Sequence, residues 1–262
     1  MQLLYYANVL SLMLKRDLIS VRKAFKSSMI NAFIWMIVTI GIKVYVLPFF
    51  GVTQTYGSMV LVGAIAAVAN MEIIHRMMFF AQNMIQDRAE LNYDLLLPIP
   101  SWVVFVERAL FFAISGMIIS VFILPMGKLL FWNHIDLSSI SIVRFVPFFI
   151  LLNIAFGFFA LFLASRMRGM QSIINTWLRI IFPLWFLGGF EFSWYSLKET
   201  VPALAYLNLF NHFTYITEGL RSAVFGPANY ISFWICVLFL IGFIMLVSWR
   251  AVRNLQRYLD TV

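Results

Sequence analysis

The chain has 262 residues, 63% of them hydrophobic and 11% charged, with a mean hydropathy of +0.91, against about 45–50% and about 25% in ordinary globular domains. A water-soluble domain of this size has nowhere to hide that much apolar surface, and disorder requires the opposite composition. The net charge of +8 does not point to nucleic acid, because the basic residues fall between apolar stretches, as in loops that face an anionic cytoplasmic leaflet.

Residues 3–26 read as an amphipathic helix. Lys15, Arg16, Arg22, Lys23 and Lys26 share one face, while Leu10, Met13, Leu14, Leu18, Val21 and Phe25 occupy the other. The pattern predicts a helix lying in the inner interface, or simply a charged flank that sets topology. Asp17 interrupts the apolar side without an evident reason. Lys15, Arg16 and Asp17 also break the first apolar stretch, so the expectation is an uncleaved insertion signal rather than a signal peptide.

A hydrocarbon core of ~30 Å needs ~20 apolar residues in a helix. Six stretches satisfy this, residues 29–50, 57–85, 102–127, 142–165, 172–190 and 228–249. With the N-terminus inside, twelve Lys and Arg fall on inner segments (Lys15, Arg16, Arg22, Lys23, Lys26, Arg88, Arg108, Arg166, Arg168, Arg250, Arg253, Arg257). Five fall outside (Lys43, Lys128, Arg144, Lys198, Arg221), which predicts both termini in the cytoplasm. The whole chain, 1–262, then reads as a single transmembrane domain of the all-α class.

Between the second and third spans, QDRAELNYDLLLPIPS predicts a short cytoplasmic helix. Asp87 and Glu90 have capping-box spacing, and Pro98 and Pro100 stop the helix. Asp87, Arg88, Glu90 and Asp94 give it a charged face, while Leu91, Leu95 and Leu96 suit a partner's groove. A capped turn that reverses the chain fits equally. Residues 191–227 are too punctuated to span and too aromatic to lie free in water. Trp194, Tyr195, Tyr206, Phe210, Phe213 and Tyr215 suit short helices at the outer interface, so the expectation is a re-entrant hairpin, with a surface loop as the alternative.

Chemistry within the spans is sparse. Glu72, His75 and Arg76 share a helix face, and Glu72 and Arg76 can neutralise one another. They line a substrate path or gate, or they form a self-paired structural cluster. Asn175 and Arg179 are again four apart, and Arg179, lacking a local acid, needs a partner elsewhere, for which Glu72 is a candidate. No P-loop, nucleophile elbow, zinc-protease or dinucleotide motif occurs. A single cysteine, Cys236, and three dispersed histidines, His75, His134 and His212, predict no disulfide, metal site or catalytic residue. No two glycines are four apart, so the helix-packing motif G-x-x-x-G is missing.

This ordered set resembles the membrane permease subunit of a type-2 ABC exporter over nearly the whole chain. DRAELNYDLLLPIPSW is similar to the family's charged coupling helix and the turn after it. The stretch 182–221 carries Pro183, Gly189, Pro202, Asn208, Thr214, Tyr215 and Arg221 in the order of the family's hairpin signature, with Glu218 beside them. It departs in carrying Asn211-His212 where the family usually has Asn-Pro, which bears on the local turn. The resemblance implies an inner-membrane half-transporter. A second permease copy, a homodimer in preference to a heterodimer, pairs with it, and spans one and five face across the dimer, bringing Asn175 and Arg179 near the path. Two copies of a separate ATP-binding subunit supply ATP and Mg, and dock on Asp87, Arg88, Glu90, Leu91, Tyr93, Asp94 and Leu95 and on the N-terminal helix. No cofactor is expected in this chain itself. The polysaccharide branch commonly carries a tyrosine and a glycine entering span one, and VRKAFKSSMINAFIW has neither. Export of a lipid or another hydrophobic or amphipathic molecule is therefore the expectation, polysaccharide or lipid-linked glycan export the runner-up, and a lipid-modifying enzyme or channel the alternatives from other classes.

Overall fold

A computed structural model describes residues 2–51, 56–86, 89–132 and 135–260. All regular elements among them are helical. In chain order they are α1 (Gln2–Gly41), α2 (Tyr56–Gln86), α3 (Ala89–Leu95), α4 (Ser101–Ser120), α5 (Ile123–Leu130), α6 (Ile142–Ala164), α7 (Met170–Thr176), α8 (Phe182–Phe186), α9 (Trp194–Thr200), α10 (Pro202–Asn208), α11 (His212–Phe225) and α12 (Phe233–Asp260). Asp87 and Arg88, and with them the capping box, lie outside the described residues, as does His134.

Five helical segments are long and apolar enough to cross a membrane: Leu4–Phe50, Tyr56–Gln86, Ser101–Leu130, Ile142–Ala164 and Phe233–Arg257. They take in five of the six expected spans. The stretch expected at 172–190 differs. It is helical only over 170–186, 17 residues that include a π-helical turn at Trp177–Ile181, and a glycine with φ of 73°, Gly189, follows. The last span also shifts: α12 starts at Phe233, not at 228, and runs on to Asp260.

The largest correction concerns the N-terminus. The expected interfacial helix and first span form one unbroken helix, the 40 residues of α1. Nothing between Gln2 and Gly41 breaks it, since the segment contains no proline and no glycine before its last residue. The two faces read from the sequence hold nonetheless. Lys15, Arg16, Arg22, Lys23 and Lys26 are exposed, and Met13 and Val21 are buried against the bundle.

Helix α2 is the axis of the structure, buried along most of its length by α1, α4, α6 and α11. Lipid tails are as apolar as leucine, so close van der Waals packing has to do what water exclusion does elsewhere. Small residues permit it. A Cβ built on Gly157 of α6 lies 2.3 Å from the Ala109 carbonyl oxygen of α4, and one on Gly63 of α2 lies 2.4 Å from that of Phe190. Both glycines therefore mark backbone-to-backbone approaches that alanine cannot share. The outer faces of α1 and α12 stay uncovered and apolar, with Ile30, Ile34 and Val38 on one and Leu238, Met245 and Trp249 on the other.

Candidate functional site

Asp94, at the end of α3, is the centre of an ionic cluster that joins three elements. It is fully buried. Arg16 of α1 donates from Nη1 to its Oδ1 at 2.6 Å and from Nη2 to its Oδ2 at 3.0 Å. Arg108 of α4 donates from Nη2 to Oδ2 at 2.7 Å. Asp17 completes the arrangement, accepting from Arg16 Nε at 2.7 Å and pairing with Arg108 Nη1 at 3.0 Å. This accounts for the acid on the apolar side of the first helix: Asp17 faces the bundle because its cations are there. Burial pushes the Asp94 carboxyl up, but the hydrogen bonds from Arg16 and Arg108 outweigh it and hold the group below the usual carboxylate range.

The cluster revises the expected faces of α3. Asp94 does not belong to an outward charged surface, and Leu91 is buried in the protein's own core rather than offered to a partner's groove. Leu95 is half-buried. What α3 and its turn do present is Tyr93, 63% exposed, and Leu96, 83% exposed. Next to the cluster, Glu107 is buried with neither carboxylate oxygen hydrogen-bonded, 3.6 Å from Arg108 Nε. Sequence reasoning missed Arg16, Asp17, Glu107 and Arg108. The one available signal was the misplaced Asp17, whose partners are its neighbour Arg16 and Arg108, 91 positions further along.

On α2, Glu72 and Arg76 do pair, with Arg76 Nε donating to Glu72 Oε1 at 2.9 Å. The two ends of the pair face different spaces. Glu72 and His75, with Asn31, Trp35 and Trp177, line a cavity of about 340 Å³ between α1, α2 and the π-helical turn. Arg76 instead lines a larger cleft of about 740 Å³ at the α3 end of the bundle. The ion pair is thus the partition between the two.

Asn175 and Arg179 do not join this group. Asn175 is half-buried, and Arg179 is exposed with no ion pair among the described residues. The expected Glu72–Arg179 contact fails because Glu72 already has Arg76, and because the wider π turn takes Arg179 off the helical register that would bring it beneath Asn175. Trp177, two residues earlier, faces the cavity in its place.

The hairpin residues gather at the opposite end. Helix α11 is buried over nearly its whole length. Arg221 is fully buried and donates to the carbonyl oxygens of Phe192 (Nη1, 2.7 Å) and Phe190 (Nη2, 2.7 Å). Glu218 accepts from the amides of Trp194 (2.9 Å) and Ile231 (3.0 Å) and lies 3.7 Å from Arg221. Backbone groups in the non-helical segments before α9 and α12 lose water on burial and need such partners. The pair therefore staples those segments to α11. Lys43 and Glu191 form a further ion pair at this end.

The turn into α11 is built on asparagines. Asn211 caps the helix, its side chain accepting from the Phe213 amide at 3.0 Å, and it donates to the Leu184 carbonyl at 2.8 Å. Asn208 donates to the Leu187 carbonyl, and Thr214 donates to the Asn208 carbonyl at 3.1 Å. His212 occupies the first helical position, where the resemblance leads one to expect proline, and stacks on Phe243 at 4.4 Å. Tyr215 stacks on Phe239 at 3.7 Å, and Pro202 opens α10. These six hairpin residues hold structure together; among the described residues no group of three or more His, Cys, Asp or Glu is placed to hold a metal.

No protein-family model matches the chain, and no curated protein or solved structure matches it either.

Proposed function

We propose that the chain is the permease half of a type-2 ABC exporter, moving a hydrophobic or amphipathic molecule out of the cytoplasm or the inner leaflet. A separate ATP-binding subunit hydrolyses the nucleotide, and the chain itself is not an enzyme. The observation that carries the reading is α3. This seven-residue helix between two spans is fixed to both α1 and α4 through Asp94, while Tyr93 and Leu96 project outward. A helix that only reverses the chain has no need of two inter-helical ion pairs. One that receives force from a partner does, because a push on its exposed side chains has to reach the spans.

In this reading residues 170–186 form a sixth, short span, both termini are cytoplasmic, and α9–α11 make the re-entrant hairpin on the outer side. The polar partition at Glu72 and Arg76 lies on the route of the substrate. The exposed apolar residues Ile174, Leu178 and Ile180, with those of α1, meet the second permease copy.

The test is recovery of the intact chain from its native membrane in mild detergent, with cysteines at 93 and 96 for crosslinking. A stoichiometric P-loop ATPase crosslinked through those positions is the expected result. Absence of any P-loop protein, even after crosslinking, refutes the assignment. With the partner in hand, Leu96→Glu is expected to abolish substrate-stimulated ATP hydrolysis while leaving the fold of the permease intact.

A further inference from the structure

Arg76 has more hydrogen-bonding capacity than the protein uses. Its Nε is spent on Glu72, but neither Nη nitrogen has a protein acceptor among the described residues, although the side chain is only 15% exposed. Arg76 belongs to the wall of the 740 Å³ cleft. A guanidinium set into a bundle of this composition is costly unless its donors are met. The other two arginines in the wall are differently placed, since the Arg16 and Arg108 guanidiniums are already engaged by Asp94 and Asp17. Among the described residues the only carboxylate lining the cleft is Asp17, whose two oxygens already face those cations. Among the described residues of the wall, Arg76 is therefore the cation left open to a ligand.

The rest of the wall defines what that ligand is. Ser20, Asn83 and Tyr93 supply polar atoms, while Phe79, Phe80 and Phe111 supply an apolar surface, with Phe79 two-thirds exposed. A planar, bidentate donor next to aromatic rings suits an oxyanion attached to an apolar body. We infer that the cleft binds a phosphate-type oxyanion through Arg76, and that the phosphate is the headgroup of an anionic membrane lipid. The site is made wholly of this chain's residues and does not depend on what drives transport.

The experiment uses native mass spectrometry of the full chain, released from nanodiscs containing equal amounts of phosphatidylglycerol and phosphatidylcholine, with thermal melts in added inorganic phosphate as a second arm. The wild-type chain is expected to retain phosphatidylglycerol over phosphatidylcholine. Arg76→Gln is expected to lower that preference about fivefold, the contribution of roughly one basic residue at a membrane surface. Glu72→Gln with Arg76→Gln removes the pair without stranding an acid, and Ser20→Glu puts a negative charge in the cleft from an exposed position; both should lose the preference equally. Arg179→Gln, a cation remote from the cleft, should keep it. Retention by the Arg76 variants at the wild-type level, or no preference in the wild type, overturns the proposal. Stabilisation by millimolar phosphate without lipid preference overturns the lipid assignment and leaves a site for a soluble phosphate compound.

Discussion

Replacing Asp94 by asparagine should free α3 from the bundle while leaving the spans folded. The substitution keeps the shape and removes the charge that three guanidinium hydrogen bonds converge on. Breaking a buried ion pair by removing one partner costs about 3–5 kcal/mol. Arg108 is nearly fully buried and keeps Asp17 as a second partner, so its share belongs at the lower limit, about 3 kcal/mol. Arg16 is 39% exposed and can turn to water, so its share is under about 1 kcal/mol. A local opening made easier by about 3 kcal/mol corresponds to roughly a hundredfold loss of amide protection. Hydrogen exchange on the chain in nanodiscs measures it directly. Peptides covering 89–97 should lose protection by about two decades, while those from the middle of α2 and α6 should not change. Protection in 89–97 equal to wild type refutes the anchoring role. A uniform loss across all helices refutes the claim that the anchor is local.

The same group sets a pH dependence. Asp94 titrates lower in the folded chain than its ordinary value of 3.8, so its contribution is fully present above that value and is lost as pH falls through the folded one. Exchange protection of 89–97 should be flat from neutral pH down to about 5 and fall only in stronger acid. Glu107→Gln should raise the melting temperature rather than lower it, because the cluster holds three carboxylates against two guanidiniums among the described residues and Glu107 has no hydrogen bond to lose; the gain is about 1 kcal/mol. Arg221→Met should strip the carbonyls of Phe190 and Phe192 of their donor and cost about 3 kcal/mol, read as a lowered detergent melting temperature and as new protease cleavage near 190–194. Gly63→Ala should act on the same place from the other side, by pushing the Phe190 carbonyl off α2, and should reproduce the cleavage pattern.

The membrane class, the helical content and five of the six expected spans were legible in the chain because hydropathy is a local property. The break in the sixth was not. Residues 172–190 have the composition of a span, and the π turn that shortens the helix leaves no mark on composition. The continuity of α1 was hidden for a related reason. Five basic residues on one face of a helix suit an interface, yet they suit equally the exposed side of a rod whose opposite side is packed. At the site, the Glu72–Arg76 pair was readable because its members lie one turn apart. The Asp94 cluster was not, since its cations come from 78 residues upstream and 14 downstream, and only the fold can say that three such distant positions coincide. The outward assignment of Asp94 failed on that account alone.

The unbroken first helix has a mechanical consequence. At 1.5 Å per residue, 40 residues make a beam about 60 Å long, twice the thickness of a bilayer's hydrocarbon core. Asp94 is bolted to it at Arg16, in the half that precedes its middle, and the regular winding does not give way until the π-helical stretch at Ile42–Val46. Lys43, within that stretch, is held to Glu191 of the hairpin region. A tilt of about 10° about its middle would swing each tip by roughly 5 Å, so any rotation of this helix moves the Arg16–Asp94 anchor and the Lys43–Glu191 pair together, as two points on one lever.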